Sequence, residues 1–184
     1  MTQFSKKQPQ KQFRFEVDQS GRVEELRRPT IIAIANNECA YALLMPAKMK
    51  RTLYEIYRTY GKPKRFGVEI FSKALIYTIS QSSLNMHELI IDLEYPGYNE
   101  FISQSVSRHF RKIYISFASI GKSSPAHKKA YFTYKTRLVP NSVINKSNIR
   151  HILAIKDGRR TVTPRVYTDS QSNRPVKRKH NRRK

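Results

Sequence analysis

Three acids and one histidine, Asp18, Glu69, Asp92 and His127, carry the chemical interest of this sequence. The chain is strongly basic, with 36 Lys+Arg against 13 Asp+Glu, and its only aspartates are Asp18, Asp92, Asp157 and Asp169. Two of these sit within apolar runs, Phe13-Arg14-Phe15-Glu16-Val17-Asp18 and Leu89-Ile90-Ile91-Asp92-Leu93. A carboxylate embedded in a strand is costly unless a basic side chain or a bound cation compensates its charge. Acids in such places, in such a chain, point to one of those two partners.

The elements that would present them can be read from periodicity. Gln12 to Asp18 alternates, with Phe13, Phe15 and Val17 on one face, which predicts a half-buried strand. Thr30–Ala35 and Ala40–Met45 read as second and third strands joined by the Asn36-Asn37-Glu38 turn, so an antiparallel meander opens the fold. The period then changes. Met49 to Tyr60 has helical spacing and stops at Gly61-Lys62-Pro63, and a second helix runs from about Arg65 to Ser82, apolar over much of its circumference. Leu89 to Leu93 is a fourth strand, and Asn99 is a plausible N-cap for a helix reaching Phe110. Ile113 to Ile120 is a fifth strand, Ala126 to Lys135 a helix opening at Pro125, and Asn145 to Lys156 a weaker last helix. Strands followed by alternating helix and strand imply an α/β fold: a three-layer, mixed, five-stranded sheet with flanking helices.

The ends differ from this core. Residues 1–11 are polar, and from Arg159 to Lys184 the chain is rich in Arg, Lys, Ser, Thr, Pro and Asn, so both are expected to be disordered tails around one domain of residues 12–158. The net charge of +23 favours a polyanionic partner, nucleic acid first, with a ribosome-associated or membrane-surface role as the alternatives it also suits. Cys39 is the only cysteine, which excludes an internal disulfide and a multi-cysteine zinc site. No apolar run is as long as a membrane span and the start lacks a secretory pattern, so a soluble, cytoplasmic protein without a small-molecule cofactor is expected.

The order of elements and the residues at their ends resemble the ribonuclease H-like superfamily. Phe15-Glu16-Val17-Asp18-Gln19-Ser20-Gly21 is similar to that family's first strand, ending on an Asp before a small-residue turn. Phe66-Gly67-Val68-Glu69-Ile70-Phe71 resembles the helix that presents its Glu, and Leu89-Ile90-Ile91-Asp92-Leu93-Glu94-Tyr95 its fourth strand. Ile120-Gly121-Lys122-Ser123-Ser124-Pro125-Ala126-His127 is similar to the entry into its last catalytic helix, with His127 in the place where the family commonly has Asp. The resemblance implies a divalent-metal-dependent nuclease acting on RNA, an RNA/DNA hybrid or DNA. Asp18 and Asp92 would be the central ligands of Mg²⁺ or Mn²⁺, with Glu69 and His127 completing the set, in a mechanism with two ions about 3.5–4 Å apart. A non-catalytic nucleic-acid-binding protein and a DNA junction resolvase or integrase of the same fold are the alternatives.

Blander readings stand beside these. Asp18 could simply end a strand and accept N–H groups of the turn; Glu69 could be a first-turn acid favoured by the helix dipole. Asp157 is a competing fourth acid, though Gly158 beside it suggests a helix end. Gly121-Lys122-Ser123 invites a phosphate-loop reading, but Ser116 stands where that motif needs its first glycine. Lys122, Lys128 and Lys129 beside the site, and Arg178, Arg182 and Arg183 in the tail, are candidate phosphate contacts, and Tyr131 or Tyr134 could stack on a base.

Overall fold

The computed structural model describes residues 13–157. The tails expected to be disordered, with Arg178, Arg182 and Arg183, lie outside the described residues. Within them the chain is α/β, built on a six-stranded mixed sheet and five α-helices.

Strands β1 (Arg14–Ser20), β2 (Thr30–Ala35) and β3 (Ala40–Met45) form the antiparallel meander. Helices α1 (Ala47–Thr59) and α2 (Phe66–Ser82) follow, separated by a 3-10 turn at Pro63–Arg65. Then come β4 (Glu88–Asp92), α3 (Asn99–His109), β5 (Tyr114–Ala118), α4 (Pro125–Tyr134), β6 (Ser142–Val143) and α5 (Lys146–Ala154). The strand order is β5-β4-β1-β2-β3-β6, with β4 parallel to both β1 and β5. The chain therefore moves outward from β1 in both directions, leaving β1 and β4 side by side inside the sheet.

The sixth strand corrects the expected five. β6 is two residues long, so it has no alternation to read; its position is set by Asn141, whose Oδ1 accepts the Ala42 N–H at 2.9 Å while its own N–H donates to the Ala42 carbonyl at 2.8 Å. A second difference is at α3, where Tyr98 occupies the N-cap position, its side chain making no capping bond to the helix, and Asn99 is already helical.

The two faces of the sheet are covered unequally. Phe15, Val17, Ile32, Ile34, Leu43, Leu89 and Ile91 point to one side, where α1, α2, α3 and α5 bury the main core. Among the described residues the other side is covered by α4, with Ala126 buried and Ala130 packed on Ile31, Ala33 and Ala42. Small residues on both surfaces let this helix approach the strands closely. Ser124 caps it, accepting the N–H groups of Ala126 and His127, and Pro125 occupies its first position, where a missing N–H costs nothing. β2 is buried along its whole length, as a strand covered on both faces must be.

Candidate functional site

Parallel pairing of β1 with β4 aligns Val17 with Ile91, and one step further along both strands stand Asp18 and Asp92. Side chains alternate along a strand, so both acids point away from the Val17 and Ile91 side, toward α4. Beyond Asp92 the chain makes a three-residue turn about Leu93, closed by the Glu94 N–H donating to the Asp92 carbonyl at 2.8 Å. This turn exposes Leu93 and returns Glu94 to its neighbour's side. Carboxylate oxygens of Asp18, Asp92 and Glu94 lie within 4.8 Å of one another, the one such group of three among the described residues.

Three negative groups this close should not all stay ionised without a cation. Burial is the largest influence on Asp18, which is 4% exposed, and it pushes this carboxyl above its ordinary range; Asp92 adds to the rise, while the Gln19 N–H and His127 oppose it. Glu94 is likewise raised, first by burial and then by Asp92, against Arg22, whose Nη2 is 3.8 Å from its Oε2. Asp92 is fixed by its Oδ1 accepting the Ile120 N–H at 3.0 Å. His127 Nδ1 lies 3.1 Å from Asp18 Oδ2, an ion-pair contact, and that buried oxygen has no hydrogen bond of good geometry. A buried carboxylate oxygen held only by a histidine contact, beside two further carboxylates, is a donor set that fits a hard divalent cation.

Helix α4 delivers His127 through its cap. The Ser124 hydroxyl donates to Glu16 Oε2 at 2.5 Å and accepts the N–H groups of Ala126 and His127 at 3.1 and 3.3 Å. Glu16 precedes Asp18 by two residues on β1 and so shares its face; one strand holds both the central acid and the anchor of the helix that faces it. Along α4 the His127 ring stacks on Tyr131, with centroids 6.0 Å apart and planes 11° from parallel, and Lys135 Nζ lies 5.7 Å from the centre of the Tyr131 ring.

Glu69 is not brought into this group. Its Oε1 pairs with Arg65 Nε at 2.5 Å, and it hydrogen-bonds with Tyr57, whose hydroxyl is pushed well up by burial and then by Glu69 itself. Glu69 and Tyr57, with Lys73 and Asp157, line a cleft of about 1040 Å³ formed by α1, α2 and the end of α5. Lys73 is buried there, paired with Asp157 at 3.2 Å and donating to the Leu153 and Ile155 carbonyls. The reason is rotational: residues two apart on a helix point about 200° apart, so Gly67, not Glu69, faces the loop between β1 and β2. A Cβ on Gly67 would stand 2.2 Å from Glu24 Oε1, so the carboxylate of Glu24 fills the space a side chain there would take. Glu24 Oε2 and Gln19 Oε1 are both 3.3 Å from the Tyr95 hydroxyl, and the charge of Glu24 contributes to the rise of Glu94.

Among the candidate phosphate contacts, Lys122 and Lys128 are exposed and Lys129 is half-buried. Tyr134 turns inward: its ring lies 2.8 Å from where a Gly21 Cβ would be, so it packs on the turn after β1. Tyr131, 41% exposed, keeps a ring at the surface. Glu94 and Glu24 were not singled out from the sequence. For Glu94 the available signal was an acid two residues past a strand-terminal acid; Glu24, in an irregular loop, had none.

No helix among the described residues is long and apolar enough to cross a membrane. Comparison with protein-family models, with curated proteins and with solved structures finds no match to the chain.

Proposed function

We propose that the chain is a divalent-metal-dependent nuclease of ribonuclease H-like fold, hydrolysing phosphodiester bonds in RNA, in an RNA/DNA hybrid or in a structured nucleic acid. The observation that carries the reading is the convergence of Asp18, Asp92 and Glu94 within 4.8 Å at the ends of adjacent inner strands, with the buried Asp18 Oδ2 lacking a hydrogen bond of good geometry, in a chain of net charge +23. The strand order, with antiparallel β2 and β3 on one side of β1 and parallel β4 and β5 on the other, supports the same family resemblance.

In this reading Asp18, Asp92 and Glu94 would hold Mg²⁺ or Mn²⁺, and His127 would stand at the flank of the set. A bound ion of this kind supplies Lewis acidity, lowering the pKa of water and offsetting charge on the leaving oxygen. The chain's own residues do the positioning. The Ile120 N–H fixes Asp92, the Glu16–Ser124 bond fixes α4, and Lys122 and Lys128 draw a phosphate backbone toward acids that would otherwise repel it. Glu69, paired with Arg65 and Tyr57, has a structural role in this reading.

One observation favours a second reading, a nucleic-acid-binding protein without catalysis. His127 Nδ1 is close enough to Asp18 Oδ2, 3.1 Å, for an imidazolium to neutralise that acid in place of a metal. The two readings separate on one comparison. A nuclease loses Mg²⁺- or Mn²⁺-dependent cleavage in Asp92→Asn while nucleic-acid binding persists; cleavage that survives Asp92→Asn defeats the assignment, and no cleavage in the unmodified chain, with salt-sensitive binding intact, selects the second.

A further inference from the structure

We propose that the row His127–Tyr131–Lys135, running along α4 to its C-cap with Tyr131 and Lys135 exposed, is a stacking site for an unpaired nucleobase, so that the nucleic acid taken at the acids is single-stranded or locally opened there. This rests on the reading of Asp18, Asp92 and Glu94 as the phosphodiester site.

The three residues are spaced by four and therefore lie along one stripe of the helix. The opposite stripe, Ala126, Ala130 and Thr133, is buried against the sheet, and Tyr134 packs over Gly21. Tyr131 is the exposed aromatic ring of α4, with the half-buried Phe132 meeting it edge-on at 5.6 Å. It does not stand alone: His127 stacks beneath it nearly parallel, at 6.0 Å and 11°, and Lys135 Nζ lies 5.7 Å from its centre. The stack starts on the residue that touches Asp18 and climbs away from it. One helical turn, about 5.4 Å, separates the ring from the acid-contacting imidazole, so a base resting on Tyr131 belongs to a nucleotide adjoining the acids.

The chemistry of the surroundings chooses the ligand. Helix α4 contains no acid, Lys128 and Lys135 are exposed on it, and Arg137 stands 5.9 Å from the neighbouring Phe132 ring. An aromatic ring among cations suits a flat π-system that carries phosphate. Lys135 is the movable member: a cation held over an exposed ring gains little, so an arriving base can replace it and leave its ammonium free to meet the phosphate. A base inside a duplex has both faces covered, and a ring on a convex helix surface cannot reach between them. The site therefore discriminates for unpaired bases.

The test uses the full chain in EDTA, which prevents metal-dependent cleavage, with two probes: a single strand of about 12 nucleotides carrying 2-aminopurine, and a blunt duplex. The unmodified chain should quench 2-aminopurine. Tyr131→Ala should abolish that quenching and weaken single-strand binding by about 5- to 100-fold, while duplex affinity stays within about twofold and Tyr131→Phe behaves as the unmodified chain. Unchanged single-strand binding in Tyr131→Ala overturns the proposal, as does an equal loss on both probes. Quenching that depends on Tyr131 in a chain that cleaves nothing with Mg²⁺ or Mn²⁺ keeps the stacking site and removes the catalytic reading; cleavage with no Tyr131 dependence does the reverse. Absence of binding to both probes overturns the stacking site.

Discussion

Replacing Asp92 with Asn should make the metal-free protein more stable, not less. Unit charges 4.8 Å apart, the outer limit of the three-acid group, repel by about 3.5 kcal/mol at an effective dielectric of about 20. Asp92 faces two such partners, Asp18 and Glu94, but both already relieve the strain by holding protons more tightly, and Asp92 and Glu94 are partly open to water. The gain expected on removing its charge is therefore about 1–2 kcal/mol, or about 2–8 °C in melting temperature for a chain of this size. Asn retains an Oδ1 for the Ile120 N–H, so the main contact survives. The sign follows from the protons: Asp18 and Glu94 titrate higher in the folded chain than unfolded, so their contribution to stability is full below the unfolded pKa and is lost as pH rises through the folded one. Melts in EDTA from acid to neutral pH should show the variant's advantage growing toward neutrality. With Mg²⁺ or Mn²⁺ at about ten times its dissociation constant, the unmodified chain should gain about 1.4 kcal/mol and the variant almost nothing. An Asp92→Asn protein that melts lower than the original in EDTA at neutral pH, or that keeps the metal-induced gain, refutes the reasoning.

Other consequences follow from the supports of the site. Ser124→Ala removes both the cap of α4 and its tie to Glu16, and should cost about 1 kcal/mol of stability in urea denaturation while lowering metal affinity through a displaced His127. Lys73→Met leaves Asp157 and two α5 carbonyls without their buried cation and should destabilise by about 3 kcal/mol, measured the same way, with metal affinity unchanged. Lys50 is fully buried, donating to the Arg22 carbonyl at 2.7 Å and Thr30 Oγ1 at 2.9 Å, and burial pulls its pKa from 10.5 to about 8 against the fields of Glu25 and Glu24. Between those values the unfolded chain holds a proton the folded chain lacks, so stability should rise with pH across that window; Lys50→Met should flatten the rise in denaturation curves.

The elements were largely legible because their periods are strong. Thr30–Ala35 and Ala40–Met45 are found with the bounds read from their apolar runs and the turn between them, and the helix start at Pro125 follows from local chemistry. β6 was not legible, since two residues held by one Asn side chain have no period. Asp18 and Asp92 could be paired because each interrupts an apolar strand, and strand pairing sets them side by side. The partner drawn from α2 could not be settled in the same way. An acid near a helix start has several directions open to it, and here Arg65 four residues earlier and Tyr57 on α1 hold Glu69 toward the cleft. The remaining carboxylate comes instead from the turn after Asp92, where one backbone hydrogen bond decides the direction of Glu94.

Whether Asp18, Asp92 and Glu94 hold a divalent cation is decided by titrating the full chain with Mn²⁺ and following free ion by electron paramagnetic resonance. Binding should be saturable in the unmodified chain, lost in Asp18→Asn and Asp92→Asn, weakened in Glu94→Gln and unchanged in Glu69→Gln. Binding that is absent from the unmodified chain, or that persists in Asp18→Asn, would contradict a metal site at these acids.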